Sequence, residues 1–384
     1  MNTFPKIHLS PGKEAAVKRF HPWIFSGAIV RTEGSPAEGD IVEVLDARKE
    51  TVALGHYMKG SIAVKIFHFG PGGVDENFWR GKLEAAYYYR TSLGLTDKPA
   101  TNAYRLVGSE GDLLPGLIID WYNGVAVIQT GSVGMQRLLP AISDALRAVY
   151  GEKLIAIYHK AQGGGFLYGS SGPVEILEMG HRFRVDFEHG QKTGFFLDQR
   201  GNRMFTQFYA RGKSVLNTFC YSGAFSVYAA KGGATRVHSV DSSRQAIEWT
   251  EENMKLNGCD GQENVSTVAD VKQFLVETKE IFDLIILDPP AFAKTHQVTN
   301  NALHAYIHIN AEAMKKLTPG GILFTFSCSQ AISREMFRSA VQAAAIETGR
   351  QVRIMHTLAQ SPDHPVSIFH PEGEYLKGLI VRAD

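Results

Sequence analysis

The spacing of apolar positions changes character twice along the chain. Over residues 1–73, apolar and polar residues alternate in short runs such as "DIVEVLDA" and "SIAVKIFHF", with glycine-containing turns between them. A period of two predicts half-buried strands, and several short strands parted by turns predict a small β-barrel or sandwich. The glycines of "FGPGG", 69–73, mark its end. Residues 74–190 are mixed. "ENFWRGKLEAAYYYRTSLGL" and "MQRLLPAISDALRAVY" read as helices, and "KLIAIYHK" as a strand. "LPGLIIDWYNGVAVIQTG" reads as a hairpin turning at Asn123-Gly124, a favoured turn pair. "VEILEMGHRFRVDFEHG" reads as a second hairpin, and "GGGFLYGSSG", 163–172, as a flexible loop by composition.

From about residue 191 strands and helices alternate. "KSVLNTF", "TRVHSV", "NVSTVAD", "FDLIILD" and "ILFTFS" are predicted strands. "GAFSVYAAKGG", "SRQAIEWTEENMKLNG" and "NALHAYIHINAEAMKKLTPGG" are the predicted helices between them, the second closed by Asn257-Gly258 as a C-cap. Such alternation predicts a doubly wound, mostly parallel α/β sheet, whose ligands bind at the carboxyl ends of the strands. The expected organisation is a β-rich domain at 1–73, a central α+β domain at 74–190 and a Rossmann-like α/β domain at 191–384.

Length and composition agree. A chain of 384 residues exceeds what one hydrophobic core serves. It contains no run of about 18 apolar residues, so no membrane span is expected. The first twenty residues lack the apolar centre of a signal peptide. Three widely spaced cysteines, Cys220, Cys259 and Cys328, suit neither a disulfide framework nor a zinc site and fit a reducing cytoplasm. A net charge of +1 does not by itself mark a nucleic-acid protein. Residues 1–73 carry nine Lys and Arg against seven Asp and Glu, a slight basic excess.

Four predicted strand ends carry polar residues. In "LNTFCYSGAF", 216–225, a turn containing Gly223 joins a strand to a helix, so backbone can approach a ligand closely. The dinucleotide fingerprint G-x-G-x-x-G is absent, which places hydride transfer last among the candidate chemistries. Asp241 ends the second strand, where a carboxylate can accept from both hydroxyls of a ribose; Asp241 or Ser242 could instead cap the following helix. Asp270, in "TVADV", could meet an adenine amino group or cap a helix. In "LDPPAFAK", 287–294, Pro289 and Pro290 cannot continue a central strand, and they fix a rigid loop that aims Asp288 into the cleft.

This set of strand ends resembles that of class I S-adenosylmethionine-dependent methyltransferases. The resemblance implies that Asn217, Phe219, Tyr221, Ser222 and Gly223 line the methionine end of S-adenosylmethionine. It implies that Asp241 and Ser242 hold the ribose and Asp270 the adenine, with "DPPAF" beside the transferred methyl group. "TGFFLDQRGNR", 193–203, looks like the helix that closes over the cofactor, with Gln199 and Arg200 as candidate contacts.

Cys328 then acquires a role. The strand "GGILFTFS" delivers it, between Ser327 and Ser329, at its carboxyl end beside the Asp288 strand. Carbon 5 of a pyrimidine is a poor nucleophile until a thiolate adds at carbon 6. Cys328 is the candidate nucleophile, and Asp288 can hydrogen-bond the cytosine ring. Pro289 and Phe292 are candidate contacts to the base. A thiol of ordinary pKa needs help to ionise, and no helper is evident in the sequence. Cys220 is read as packing and Cys259 as incidental.

The blocks "RFHPWIFSGAI", "YRLVGSEGDLLPGLIID", "TGFFLDQR", "DPPAFAK", "SCS" and "DHPVSIFHPEGEYLKGL" sharpen the resemblance. Together they look like the RlmI-type family of large-subunit ribosomal RNA cytosine-5 methyltransferases, over residues 15–382. The resemblance implies an N-terminal PUA domain that binds RNA, and a cytosine in 23S ribosomal RNA, free or in a large-subunit assembly intermediate, as substrate. Relatives with two cysteines carry the second where this chain has "DPPAF", so the base for the carbon-5 proton stays open between Asp288 and a water. Lys18 and Arg19 are the expected RNA contacts, while Trp23 and Phe25 are read as barrel core. A homodimer stays open. Two alternatives are nitrogen methylation of a ribosomal RNA base, which would not need Cys328, and a non-catalytic RNA-binding assembly factor.

Overall fold

The computed structural model describes residues 4–75, 77–261, 263–292 and 299–384. It divides into two compact units. One comprises Met1–Ile176, Val185–Phe195 and Pro362–Gly373; the other comprises Leu177–Arg184, Phe196–Ser361 and Glu374–Asp384.

The first unit holds two sheets. The alternating runs near the N-terminus form a six-stranded sheet in the order Trp23–Phe25, Ile62–Phe69, Thr51–Tyr57, Ile41–Leu45, Lys6–Leu9, Ile29–Glu33. Its inward positions, among them Ile7, Val42, Val44, Val64 and Ile66, make a separate core. The expected core position of Phe25 is corrected: its ring is half exposed on a three-residue edge strand. Trp23 is partly buried and donates its indole N–H to Glu110 Oε1 at 3.0 Å. An edge strand this short has one packed face, and Ile24 takes it. The second sheet runs in the order Gly165–Tyr168, Ala156–His159, Val125–Thr130, Leu117–Tyr122, Ala103–Gly108. Helices Phe78–Ser92 and Leu139–Tyr150 pack with it into one core. Two further expectations are corrected here. The glycine-rich segment is not all loop, because Gly165–Tyr168 pairs with Ala156–His159 and Phe166 meets Tyr158 edge-on. The second helix is interrupted at Leu138, with Val133–Arg137 before it and Pro140 in the first turn after it.

The second unit follows the predicted alternation, and its elements are labelled in chain order. The strands are β1 (Ser214–Thr218), β2 (Arg236–Asp241), β3 (Asn264–Val268), β4 (Phe282–Leu287), β5 (Leu317–Ser327), β6 (Val352–Leu358) and β7 (Lys377–Ala383). The helices are α1 (Arg200–Tyr209), α2 (Ala224–Lys231), α3 (Arg244–Leu256), α4 (Val271–Glu277), α5 (Thr299–Lys315) and α6 (Arg334–Glu347). The sheet order is β3-β2-β1-β4-β5-β7-β6. β1 to β5 pair in parallel, while β7 runs antiparallel to both β5 and β6. The central strands are buried and read as continuous apolar runs, "LIIL" in β4 and "ILFTF" in β5, as helix-covered parallel strands do. α5 ends at Lys315 rather than continuing through Gly321, because Pro319 cannot extend it and residues 317–321 join β5 instead. No helix among the described residues is long and apolar enough to cross a membrane.

A buried ion pair anchors α1. Glu178 is fully buried and accepts two hydrogen bonds of 2.7 Å from Arg203, one from Nε and one from Nη2. Tyr228 donates a third at 3.1 Å. Removing one member of such a pair strands the other charge in a poorly hydrated place. Glu178→Ala is therefore expected to destabilise the protein by about 3–5 kcal/mol, and adding Arg203→Met to recover part of that. Denaturant titration of the two variants measures it, and a single variant within 1 kcal/mol of wild type, on the order of a surface substitution, would contradict the assignment.

Candidate active site

The carboxyl ends of β1, β2, β4 and β5 gather the polar residues. The loop after β1 is conformationally unusual. Phe219, Tyr221 and Gly223 all have positive φ, of 54°, 50° and 73°. Two of them are aromatic, and such residues hold this conformation only where the surroundings impose it. A Cβ on Gly223 would lie 2.6 Å from Thr250 Cγ2 and 3.0 Å from the Thr250 backbone, so only glycine fits between this loop and α3. The loop is pinned from below. Thr250 donates to the Tyr221 carbonyl at 2.9 Å, Asn253 donates to the Ser222 carbonyl at 2.9 Å, and Asn217 donates to Ser226 at 2.8 Å.

Asp241 accepts from the Tyr221 N–H at 3.0 Å and from the Ser243 N–H at 2.9 Å, one on each oxygen. Each carboxylate oxygen retains a lone pair, which suits a vicinal diol. Neither Asp241 nor Ser242 caps α3; Ser243 does, accepting from Ala246 N. Ser242 is exposed. Asp270 is exposed and caps α4, with Oδ1 accepting from Gln273 N at 2.9 Å. Of the two readings the sequence left open for it, the cap is the one observed.

Gln199 and Arg200 lie at the junction of a short 3₁₀ turn with α1 and are both buried. Gln199 donates to Asp288 Oδ2 at 2.9 Å and accepts from Asn202 at 2.6 Å. Asn202 also donates to the Ala359 carbonyl at 3.1 Å, so the amide of Gln199 is oriented by its neighbour. Arg200 is drawn inward, its Nε 3.4 Å from Glu178, and is not a solvated residue at the helix start.

Asp288 follows β4, with Pro289 buried behind it and Phe292 packed on Tyr306 at a 4.8 Å ring separation. Lost hydration, then the nearby Asp198 carboxylate, push Asp288 up to about 7, against the Gln199 hydrogen bond and the Arg203 charge. Ala293 and Lys294, the last residues of the "LDPPAFAK" motif, lie outside the described residues. Cys328 ends β5, the parallel neighbour of β4. It is a free thiol and is partly exposed. Lost hydration, then the charges of Asp288 and Asp198, hold it up to about 11. Cys220 is buried and 3.5 Å from Thr250, as packing requires.

Three further residues of this region are not apparent from sequence. Asp198 accepts from the Tyr375 hydroxyl at 2.7 Å, and Lys377 is a buried lysine in β7. A lysine inside an apolar strand, "LKGLIV", was a usable signal, because lysine is almost never fully buried without a partner. Lys18 and Arg19 stand apart in the first unit, both exposed, with Lys18 paired to Asp46 at 3.2 Å. Among the described residues no cluster of His, Cys, Asp or Glu could hold a metal ion.

A family model for S-adenosylmethionine-dependent methyltransferases matches residues 133–371, and one for PUA-like domains matches residues 7–69. The chain is 39% identical to ribosomal RNA large subunit methyltransferase I of Aeromonas hydrophila, covering 98% of this chain and 99% of that one. It belongs to the ribosomal RNA large subunit methyltransferase I family. The Escherichia coli member is 36% identical, with 98% and 99% covered. A methyltransferase solved with SAH superposes with a TM-score of 0.87 at 22% identity, covering 98% and 99%. A SAM-dependent methyltransferase from Streptococcus mutans gives 0.86 at 21%, with the same coverage. At that identity the solved structures establish the fold. Membership fixes the cofactor as S-adenosylmethionine, and the acceptor set at the ends of β1 and β2 fits it.

The raised carboxyl of Asp288 has a consequence for stability. Between the ordinary carboxylate pKa and about 7 the folded protein holds a proton that the unfolded chain has released. Folding is thus favoured by this group at acid pH and loses that contribution as pH rises towards 7. Asp288→Asn removes the dependence. Unfolding free energies measured from pH 4 to 8 should show the Asn variant gaining on wild type up to about pH 7 and then running parallel. A constant difference across that range would contradict the shift.

Proposed function

We propose that the protein methylates carbon 5 of a cytosine in large-subunit ribosomal RNA, with Cys328 as covalent nucleophile. The observation that carries this reading is the emergence of Cys328 and Asp288 from adjacent parallel strands, at the end of the sheet where the cofactor loop lies. Nitrogen methylation would leave the thiol without a task.

Bound S-adenosylmethionine supplies an electrophilic methyl group on a sulfonium and departs as S-adenosylhomocysteine. The thiolate of Cys328 forms a bond to carbon 6 of the base. Asp288, with its pKa near 7, gives its proton to ring nitrogen 3, and the displaced π electrons settle between carbons 4 and 5. Carbon 5 is then enamine-like and takes the methyl group. Loss of the carbon-5 proton re-forms the double bond between carbons 5 and 6 and expels the thiolate. Of Asp288 and a water, one takes the carbon-5 proton and the other the proton of nitrogen 3, so each accepts one. Gln199 holds the Asp288 carboxyl in place, and Pro289 and Phe292 shape its loop.

On the cofactor side, Asp241 takes the ribose hydroxyls with Ser242 beside it, and Asn217, Phe219, Tyr221, Ser222 and Gly223 take the methionine end. The second oxygen of Asp270 serves the adenine. The chain is best divided as 1–73, 74–190 and 191–384, with the first part binding RNA and Lys18 and Arg19 meeting phosphates. The PUA-like match over residues 7–69 and the names of the relatives support that assignment.

Two measurements test these assignments. Wild type incubated with labelled cofactor and unmethylated large-subunit RNA should yield 5-methylcytidine, and Cys328→Ala none. Undiminished transfer by the variant, or a nitrogen-methylated nucleoside, would discard the covalent route. Asp241→Asn should weaken S-adenosylhomocysteine binding by about tenfold or more in calorimetry, the worth of a charge-assisted hydrogen bond. Unchanged affinity would remove Asp241 from the cofactor site.

A further inference from the structure

We propose that Lys377 is the resident counter-ion of the Cys328 thiolate, a positioning residue that keeps the nucleophile ionisable. The inference rests on the covalent reading above and deepens it.

β7 begins at Lys377. Its register with β5 sets Lys377 directly opposite Ser327, one residue before the cysteine. The side chain is 4% exposed, and its ammonium donates one hydrogen bond, 2.5 Å to the carbonyl of Ser329, one residue after the cysteine. Lys377 is thus tied to both sides of Cys328, by its backbone register before it and by its ammonium after it. An ammonium carries three protons, and one carbonyl satisfies one of them. Among the described residues Lys377 forms no ion pair with a carboxylate, whereas the nearest acid in the chain, Glu374, is engaged by Arg334 through Nε and Nη2. A buried charge without a counter-ion is costly and rare. A thiolate beside it supplies that counter-ion.

The groups around the pair act in opposite directions. Asp288 at the end of β4 and Asp198 before α1 oppose ionisation of Cys328, while Lys377 favours it. Tyr306 of α5 is neutral, its own ionisation disfavoured by burial and then by the Cys328 charge. Around Lys377, lost hydration pulls the ammonium down to about 8, Cys328 holds it up, Arg334 of α6 pulls it down and Glu374 holds it up. Among these neighbours Lys377 is the one cation acting on the thiol, and the thiol is its strongest anionic partner.

The reaction cycle makes this useful. The thiol proton leaves to solvent, the ammonium keeps the thiolate in a site where Asp198, and Asp288 whenever it is ionised, would otherwise suppress it, and the same charge receives the thiolate when it is expelled. The ammonium forms no bond and loses no proton in doing so.

The test reads thiol acidity without RNA or cofactor, so it stands or falls apart from the methylation assay. Iodoacetamide alkylation of Cys328 is followed by mass spectrometry between pH 7 and 10 in wild type, Lys377→Met, Lys377→Gln and Lys377→Arg, each checked for wild-type melting. The two neutral variants should alkylate Cys328 about tenfold more slowly at pH 7, where the Lys377 ammonium is still charged, the least expected from losing an adjacent opposite charge. The Arg variant should restore most of the rate, and Cys259 alkylation should be unchanged in all. Linkage supplies a second reading that needs no change at position 377: Cys328→Ala should lower the titration midpoint of the Lys377 Nζ resonance. Identical alkylation profiles in folded neutral variants, or an unmoved resonance, would overturn the proposal. A slowed alkylation together with an active Cys328→Ala enzyme would retain the ion pair and remove the nucleophile.

Discussion

The antiparallel insertion of β7 between β5 and β6 is the constraint on which the second unit depends. Seven residue pairs hold β7 to β5, from Gly321 opposite Ala383 to Ser327 opposite Lys377. Without that strand β5 would be an exposed edge and its apolar run, Ile322 to Phe326, would face solvent along one side. The fit is close. A Cβ at position 378 would stand 2.6 Å from the ring of Phe326, so glycine follows Lys377 where the aromatic ring presses on the backbone. Leu379, Ile380 and Val381 then complete the core. One pairing therefore closes the sheet, seats an aromatic ring and delivers a buried ammonium beside a thiol.

At the other side of the cleft, order comes from a chain of satisfied hydrogen bonds. The Ala359 carbonyl orients Asn202, Asn202 orients Gln199, and Gln199 fixes Asp288. Fully partnered buried polar groups of this kind specify one arrangement. The Glu178–Arg203 pair does the same for the start of α1. Against this frame burial, and after it the nearby Asp198 carboxylate, raises Asp288. A buried carboxyl group held away from its ordinary pKa at the mouth of a cleft is a candidate for chemistry.

Much of this was legible in the sequence because it is local. Period-two and period-3.6 patterns, and turn residues at their joints, set out β1 to β5, α2, α3 and α5 without knowledge of long-range pairing. Asp241, Asp288 and Cys328 stand out because each lies at the end of a recognisable strand, and Gly223 because it opens the helix after one. What escaped is either non-local or a choice among neighbours. Ser243 rather than Asp241 or Ser242 caps α3, a choice made by backbone geometry one residue further on. Gly165–Tyr168 is a strand because a partner strand and Tyr158 await it, although its composition reads as loop. Phe25 is exposed because a three-residue edge strand has only one packed face. The environment of Lys377 depends on the sheet register of a strand about 50 residues from the cysteine, which no periodicity encodes.

The pairing of charges explains how one cysteine and one aspartate can share a site without cancelling each other. A carboxylate beside a thiol suppresses ionisation, so an ionised Asp288 works against Cys328 as the proposed nucleophile. A protonated Asp288 does not, and it is also the form that can donate to a ring nitrogen. The same protonation event therefore removes a repulsive charge from Cys328 and arms the acid. The sheet supports both. β4 places Asp288 where hydration is poor enough to keep its proton near neutral pH, and β7 places a buried lysine where the proposed thiolate would form. The balance requires all three groups at the ends of adjacent strands, and the order β4-β5-β7 brings them there.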